Sequence, residues 1–201
     1  MFAAIYLPDF ELQAALRYDP ALWGKAVALI NDRETKAAIL QLTPKAAEAG
    51  VVAGMTASQA LARCLNLIIK TRAFEQEKIA GDILLHQAAT LAPEIEATAP
   101  GVCTVHFTSN KNCCDKVERV VGQMAELQLR AQAGLAATPD LSFLAACLAR
   151  PVLEIENPQE FLGPLQIETL EMMNRINPNS LWQTTKPIIS ENRQGICSLP
   201  G

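Results

Sequence analysis

Histidine is nearly missing. His86 and His106 are the only two in 201 residues, so a serine triad or an imidazole base would have to use one of them. No stretch of about 18 consecutive apolar residues occurs, which argues against a membrane-spanning helix. The opening "MFAAIYLPDF" lacks the basic region and long apolar stretch of a secretory signal. Positive charge is not in excess either: 17 Lys+Arg face 21 Asp+Glu, a net charge of -4. That balance speaks against a strongly basic nucleic-acid grip, because affinity from counterion release grows with the number of phosphates neutralised; a local basic groove remains compatible with it. The patterns G-x-x-x-x-G-K-[ST] and G-x-G-x-x-G are both missing, so P-loop and Rossmann nucleotide binding have no motif support. There is no tandem repeat and no low-complexity segment.

Apolar residues make up 50% of the chain, enough for one substantial core, or one core with a small appended lobe. The six cysteines are scattered rather than spaced as a disulfide framework. They are read as reduced thiols of a cytoplasmic protein.

Strands and helices alternate in α+β order. "FAAIYL" (2–7) reads as a strand, and "DFELQAALRY" (9–18) as a short helix with Asp9 at its N-cap. "KAVALI" and "AAILQL" are strands around a polar turn. "TPKAAEAG" has Thr43 as N-cap, Pro44 at the first helical position and Gly50 at the end, and "TASQALARC" restarts at Thr56. With "LNLIIKT" as another strand, this stretch reads as a small lobe inserted into a larger domain. A long helix follows over 73–93, its buried stripe expected to be Ile79, Ile83, Leu84 and Leu91. "EIEATAPGVCTVHFTS" reads as two strands broken at Pro100-Gly101. A helix over 114–129 places Val117, Val120, Val121, Met124 and Leu127 on one face. A strand "RAQAGLAA", a helix "PDLSFLAACLA" and a strand "PVLEI" close the domain. Residues 158–176 read as a short helical unit, before a polar tail rich in Asn and Pro. The final "LPG" is abrupt, and a piece of a longer chain is expected.

Candidate chemistry is sparse. His106 alternates with Cys103, Val105 and Phe107 and is read as a partly exposed or hydrogen-bonded structural residue, and His86, in the long helix near Ile83, likewise as a structural rather than catalytic histidine. Cys103, His106, Cys113 and Cys114 form the one metal-like cluster. Zinc usually takes well-spaced pairs, and two adjacent cysteines rarely converge on one ion, so these are read as buried or half-buried thiols. Asp9 and Glu11 flank Phe10 at a helix start, where acids are favoured by the backbone dipole as well as by metals.

Five segments resemble, in order and spacing, the Y-family translesion DNA polymerases. "RYDPALWGKAVALI" is similar to the segment after that family's first catalytic strand. "AGVVAGMTASQALARCLNLIIKTRAFEQEKIAGDIL" resembles its fingers lobe and the helix leading back into the palm. "IEATAPGVCTVHFTS" falls where the palm's acidic strands belong, "AGLAATPDLSFLAACLA" near the palm's end, and "PQEFLGPLQIETL" at the start of the thumb. The similarity spans roughly 3–173. It implies a palm of 1–9 and 73–155 with a ferredoxin-like antiparallel sheet and helices. Fingers of 10–72 are inserted into it, and a partial helical thumb of 156–201 follows. On the same resemblance the little finger is expected to lie outside these 201 residues.

The family's reaction needs two divalent ions held by an Asp on the first strand and an Asp-Glu pair on the central strand. Carried over without gaps, those positions are Tyr6, Gly101 and Val102. The family's triphosphate-binding Tyr and Arg fall on Pro44 and Ala47, and its bulky sugar-gate aromatic on Glu11. For its late palm lysine only Arg150 stands near. The resemblance therefore implies a catalytically inactive scaffold of the non-catalytic, ImuB-type branch, acting in DNA repair, with no cofactor; Mg²⁺ is expected only if a site were active. The implied partners are an error-prone C-family DNA polymerase, a RecA-like accessory protein and, through a region beyond Gly201, the sliding clamp. Primer-template DNA should bind weakly. Two alternatives remain: an active nucleotidyltransferase with a metal site shifted to Asp9 or Glu96, and a generic interaction domain that keeps only the fold.

Overall fold

In the computed structural model, residues 1–32, 37–109, 111–166 and 169 are described. The readings made over 170–201 lie outside them. Two sheets organise these residues. The larger has the order β5-β6-β1-β7-β8, built from β1 (Phe2–Tyr6), β5 (Glu94–Ala99), β6 (Val102–His106), β7 (Gln132–Ala136) and β8 (Val152–Glu154). Its pairs are antiparallel except β7 with β8. With α4 (Phe74–Ala89) after β1 and α5 (Cys113–Glu126) after β6, the run β1-α4-β5-β6-α5-β7 is the βαββαβ arrangement of a ferredoxin-like fold. A further helix, α6 (Pro139–Leu148), leads to β8.

Both faces of this sheet are covered, which is why its central strands are almost continuously apolar. Ala3, Ile5, Cys103, Val105, Ala133 and Leu135 face the layer of α4 and α5. Alternate residues Ala4 and Val102 face α6, meeting Phe143, Leu144 and Cys147. The α5 face is as read from the sequence for Val117, Val120, Val121 and Met124, whereas Leu127 ends the helix half-buried and Leu129 is buried in its place. The α4 stripe differs from expectation. Ile79 is 43% exposed and Ile83 and Leu91 are half-buried; the buried positions are Glu77, Ala80, Leu84 and Ala88. The buried face runs Ala80, Leu84, Ala88 at i, i+4, i+8 spacing, and its small alanines pack against the sheet where isoleucines would need more room.

Between β1 and α4 the chain builds a second sheet, β3-β2-β4, from β2 (Val27–Ile30), β3 (Ile39–Leu42) and β4 (Ile68–Thr71). The helices α2 (Pro44–Glu48) and α3 (Ala57–Arg63) accompany it. The helix α3 starts from Thr56 as read from the sequence, and there Thr56 and Gln59 form a full capping box. Thr43 does not cap α2. Its hydroxyl accepts from the Val27 amide at 2.9 Å and donates to the Lys25 carbonyl at 2.8 Å, tying the end of β3 to the start of β2.

The short helix α1 (Phe10–Leu16) belongs to both bodies. Phe10 and Ala14 sit in the core of the large sheet, while Leu12 and Leu16 pack with Leu22, Val27 and Leu29 of the small lobe. Among the described residues no helix is long and apolar enough to cross a membrane.

Candidate functional site

Tyr6, Gly101 and Val102 meet at one end of the large sheet. Tyr6 and Val102 are cross-strand partners in the β1–β6 ladder, and the Leu7 amide donates to the Gly101 carbonyl at 2.8 Å. Gly101 closes the β5–β6 turn at φ 72°, a left-handed backbone that favours glycine. A Cβ added there would lie 2.7 Å from the Phe10 Cβ, so the turn is pressed against α1.

The surroundings of these three residues are apolar. The Tyr6 ring meets Phe143 edge to face, centroids 6.0 Å apart, and Val102 is buried against Ala4, Phe143, Leu144 and Cys147. Burial, reinforced by Cys147, Asp9 and Glu11, pushes the Tyr6 phenol well above its ordinary range. Burial alone pushes the Cys147 thiol up to about 12. Neither group is a base or nucleophile at neutral pH. A cavity of about 340 Å³ opens beside the turn, lined among others by Phe10, Leu84, Leu85, Ala99 and Val102, with no charged side chain in its wall.

Carboxylates stand around this end without converging on it. Asp9 occupies the residue before α1, but its backbone is left-handed (φ 48°, ψ 49°) and its side chain makes no capping bond, which corrects the capping expectation. Desolvation and the neighbouring Glu11 raise its carboxyl above the ordinary value. Glu96 is exposed on β5, cross-strand from Thr104 and two positions along β6 from Val102. Among the described residues no three His, Cys, Asp or Glu gather closely enough to hold a metal ion.

The other positions lie apart. Pro44 and Ala47 are exposed on α2 and offer no side-chain hydrogen bond, and Arg150 is exposed between α6 and β8 with its guanidinium on the Ala149 carbonyl. Glu11 is engaged: it accepts from the Gln41 amide and lies 4.0 Å from Arg72, which forms a two-pronged pair with Glu77 at 2.9 and 2.6 Å. Gln41, Arg72 and Glu77 carry no motif and escape a sequence reading, although the five-residue spacing of Arg72 and Glu77 across a strand-to-helix junction is a weak signal. His106 stacks on Phe2 and bonds Glu94 at 2.6 Å, a partly exposed, hydrogen-bonded residue as read from the sequence, and His86 is exposed on α4. Cys103 is buried, its thiol pushed up to about 12 chiefly by burial; Cys113 is buried and Cys114 half-buried.

Similar proteins share this architecture. DinB from Sulfolobus solfataricus superposes with a TM-score of 0.74 at 18% identity over 84% of this chain and 53% of that one. A post-insertion binary complex of Dbh DNA polymerase gives 0.74 at 18% identity over 87% and 57%. A Y-family DNA polymerase chimera of Dbh and Dpo4 gives 0.74 at 18% over 84% and 53%. The chain thus spans little more than half the length of these polymerases. Curated proteins give no significant match. The impB/mucB/samB family model matches residues 5–147, well over half of the sequence. By that match and by its fold, the chain belongs to the impB/mucB/samB family, within the Y-family polymerase superfamily.

Proposed function

We propose that this chain is a catalytically silent Y-family homologue that keeps the polymerase shape and serves as a scaffold in DNA repair by translesion synthesis. The observation that carries this reading is the packed cluster of Tyr6, Val102 and Phe143, an apolar filling where the resemblance requires metal-binding carboxylates. Two-metal phosphoryl transfer depends on charge placed at the attacking and leaving oxygens, and an aromatic ring cannot supply it. Pro44 and Ala47 weaken the triphosphate grip independently. In this reading residues 1–9 and 73–155 are the palm, 10–72 the fingers and 156–201 a thumb fragment. The loss of carboxylates at Tyr6, Gly101 and Val102 resembles the ImuB-type branch, and in this reading the partners are a C-family error-prone polymerase, a RecA-like accessory protein and the sliding clamp.

The competing reading, a metal site shifted to Asp9 or Glu96, finds no group of three His, Cys, Asp or Glu to hold an ion among the described residues. Calorimetric titration with Mn²⁺ separates the two. The silent scaffold gives no stoichiometric uptake, whereas saturable binding abolished by Asp9→Asn supports the shifted site. Co-purification of the tagged chain with the C-family polymerase tests the scaffold role, and failure to retain that polymerase while the chain stays folded contradicts it.

A further inference from the structure

The start of α1 leaves backbone amides that its own N-cap does not satisfy, because Asp9 turns left-handed and offers no capping bond. One of them is served from the other lobe. The Leu12 backbone amide donates to Gln41 Oε1 at 2.8 Å, and Gln41 Nε2 in turn donates to the Glu11 carboxylate. Gln41 lies in β3 of the small sheet, 29 residues along the chain from Leu12. Glu11 in turn faces Arg72 at 4.0 Å, and Arg72 grips Glu77 in the first turn of α4. Glu77 is only 9% exposed, so its carboxylate depends on that guanidinium for solvation. The Arg72 guanidinium also lies 4.7 Å from the Phe74 ring.

These contacts join four elements that the sequence separates: α1, β3, the exit of β4 and the start of α4. The small lobe is inserted between α1 and α4, and Glu11 from the helix that precedes it meets Arg72 from its exit in this polar cluster. Behind it, the apolar contact of Leu12 and Leu16 with Val27 and Leu29 is a single helix on a sheet. Such a contact resists separation but is not directional, whereas bidentate and charge-assisted hydrogen bonds fix an angle.

We propose that Glu11, Gln41, Arg72 and Glu77 act as one clasp that holds the three-stranded lobe in a single orientation on the five-stranded sheet. Glu11, at the sugar-gate position of the family resemblance, is then a positioning residue. The proposal rests on the contacts alone and holds whether or not the chain is catalytically silent.

Amide hydrogen exchange on the whole chain, resolved by NMR, tests it. Arg72 does not touch the Leu12 amide, so a local cap and a coupled clasp differ in their response. Arg72→Met is expected to speed exchange at Leu12 by about tenfold, the scale of coupling within one polar network, while amides in β1 and β6 keep their parental rates. Gln41→Ala should speed Leu12 further, and Arg72→Lys, which keeps the charge but loses the fork, should fall between parent and Arg72→Met. An unchanged Leu12 rate in both Arg72 variants overturns the clasp, as does an equal acceleration in β1 and β6, which would show general destabilisation. Should Arg72→Met not fold, Arg72→Lys alone decides by the same comparison.

Discussion

Gly101 shows how closely one residue can bind backbone conformation to packing. Its positive φ and its 2.7 Å approach to Phe10 each forbid a side chain. Gly101→Ala should cost about 2 to 4 kcal/mol, summing a left-handed penalty and an overpacking term. Urea denaturation checks this, and a parental midpoint would show that the turn relaxes freely. A carboxylate installed at 101 to rebuild a metal site meets the same obstruction. Asp9 carries a pH signature. Its folded carboxyl is raised above the ordinary value, so between the two values the native state keeps a proton that the unfolded chain releases. Stability therefore falls as pH rises through that window, and the penalty is full above it. Asp9→Asn should remove this part of the decline, which urea midpoints measured from about pH 4 to pH 7 would reveal as a flatter profile. A profile parallel to the parent's contradicts the assignment.

At the scale of elements, the contact of α6 with β7 rests on Gly134. A Cβ there would stand 2.2 Å from the Ser142 carbonyl oxygen and 2.3 Å from the Ala146 amide, both backbone atoms that cannot swing aside. Gly134→Ala should destabilise the protein by about 3 kcal/mol or more. A cooperative urea transition at the parental midpoint would contradict it. The sequence made α5 legible because its apolar period is regular and its buried Val117, Val120, Val121 and Met124 are large, and it made β7 and α6 legible as short apolar runs, although most of the residues they bury are small. The α4 stripe was less legible, since Ala80 and Ala88 carry the burial and hydropathy favours Ile79 instead. Asp9 and Thr43 looked like caps because their types and positions fit. Their actual roles depend on backbone conformation and on a strand 16 residues away, which local pattern does not encode. The meeting of Tyr6 with Val102 was legible only through the family resemblance, and the Gln41 bond to Leu12 was not legible at all.

For the molecule as a whole, 17 basic against 21 acidic residues leave little field for a polyanion. Primer-template DNA should bind in the non-specific range of about 10⁻⁴ to 10⁻⁶ M at physiological salt, by fluorescence anisotropy. Nanomolar binding at that salt would require a basic surface that the described residues do not explain. In the proposed function, a polymerase fold holds an apolar cluster in place of metal-binding chemistry. The most direct test of this claim is primer extension under single-turnover conditions, with all four deoxynucleotides and Mg²⁺ or Mn²⁺, beside an active Y-family polymerase trimmed to the same domains. Extension by the trimmed control and none by this chain is the expected result; metal-dependent extension by this chain, lost on Asp9→Asn or Glu96→Gln, would contradict the claim.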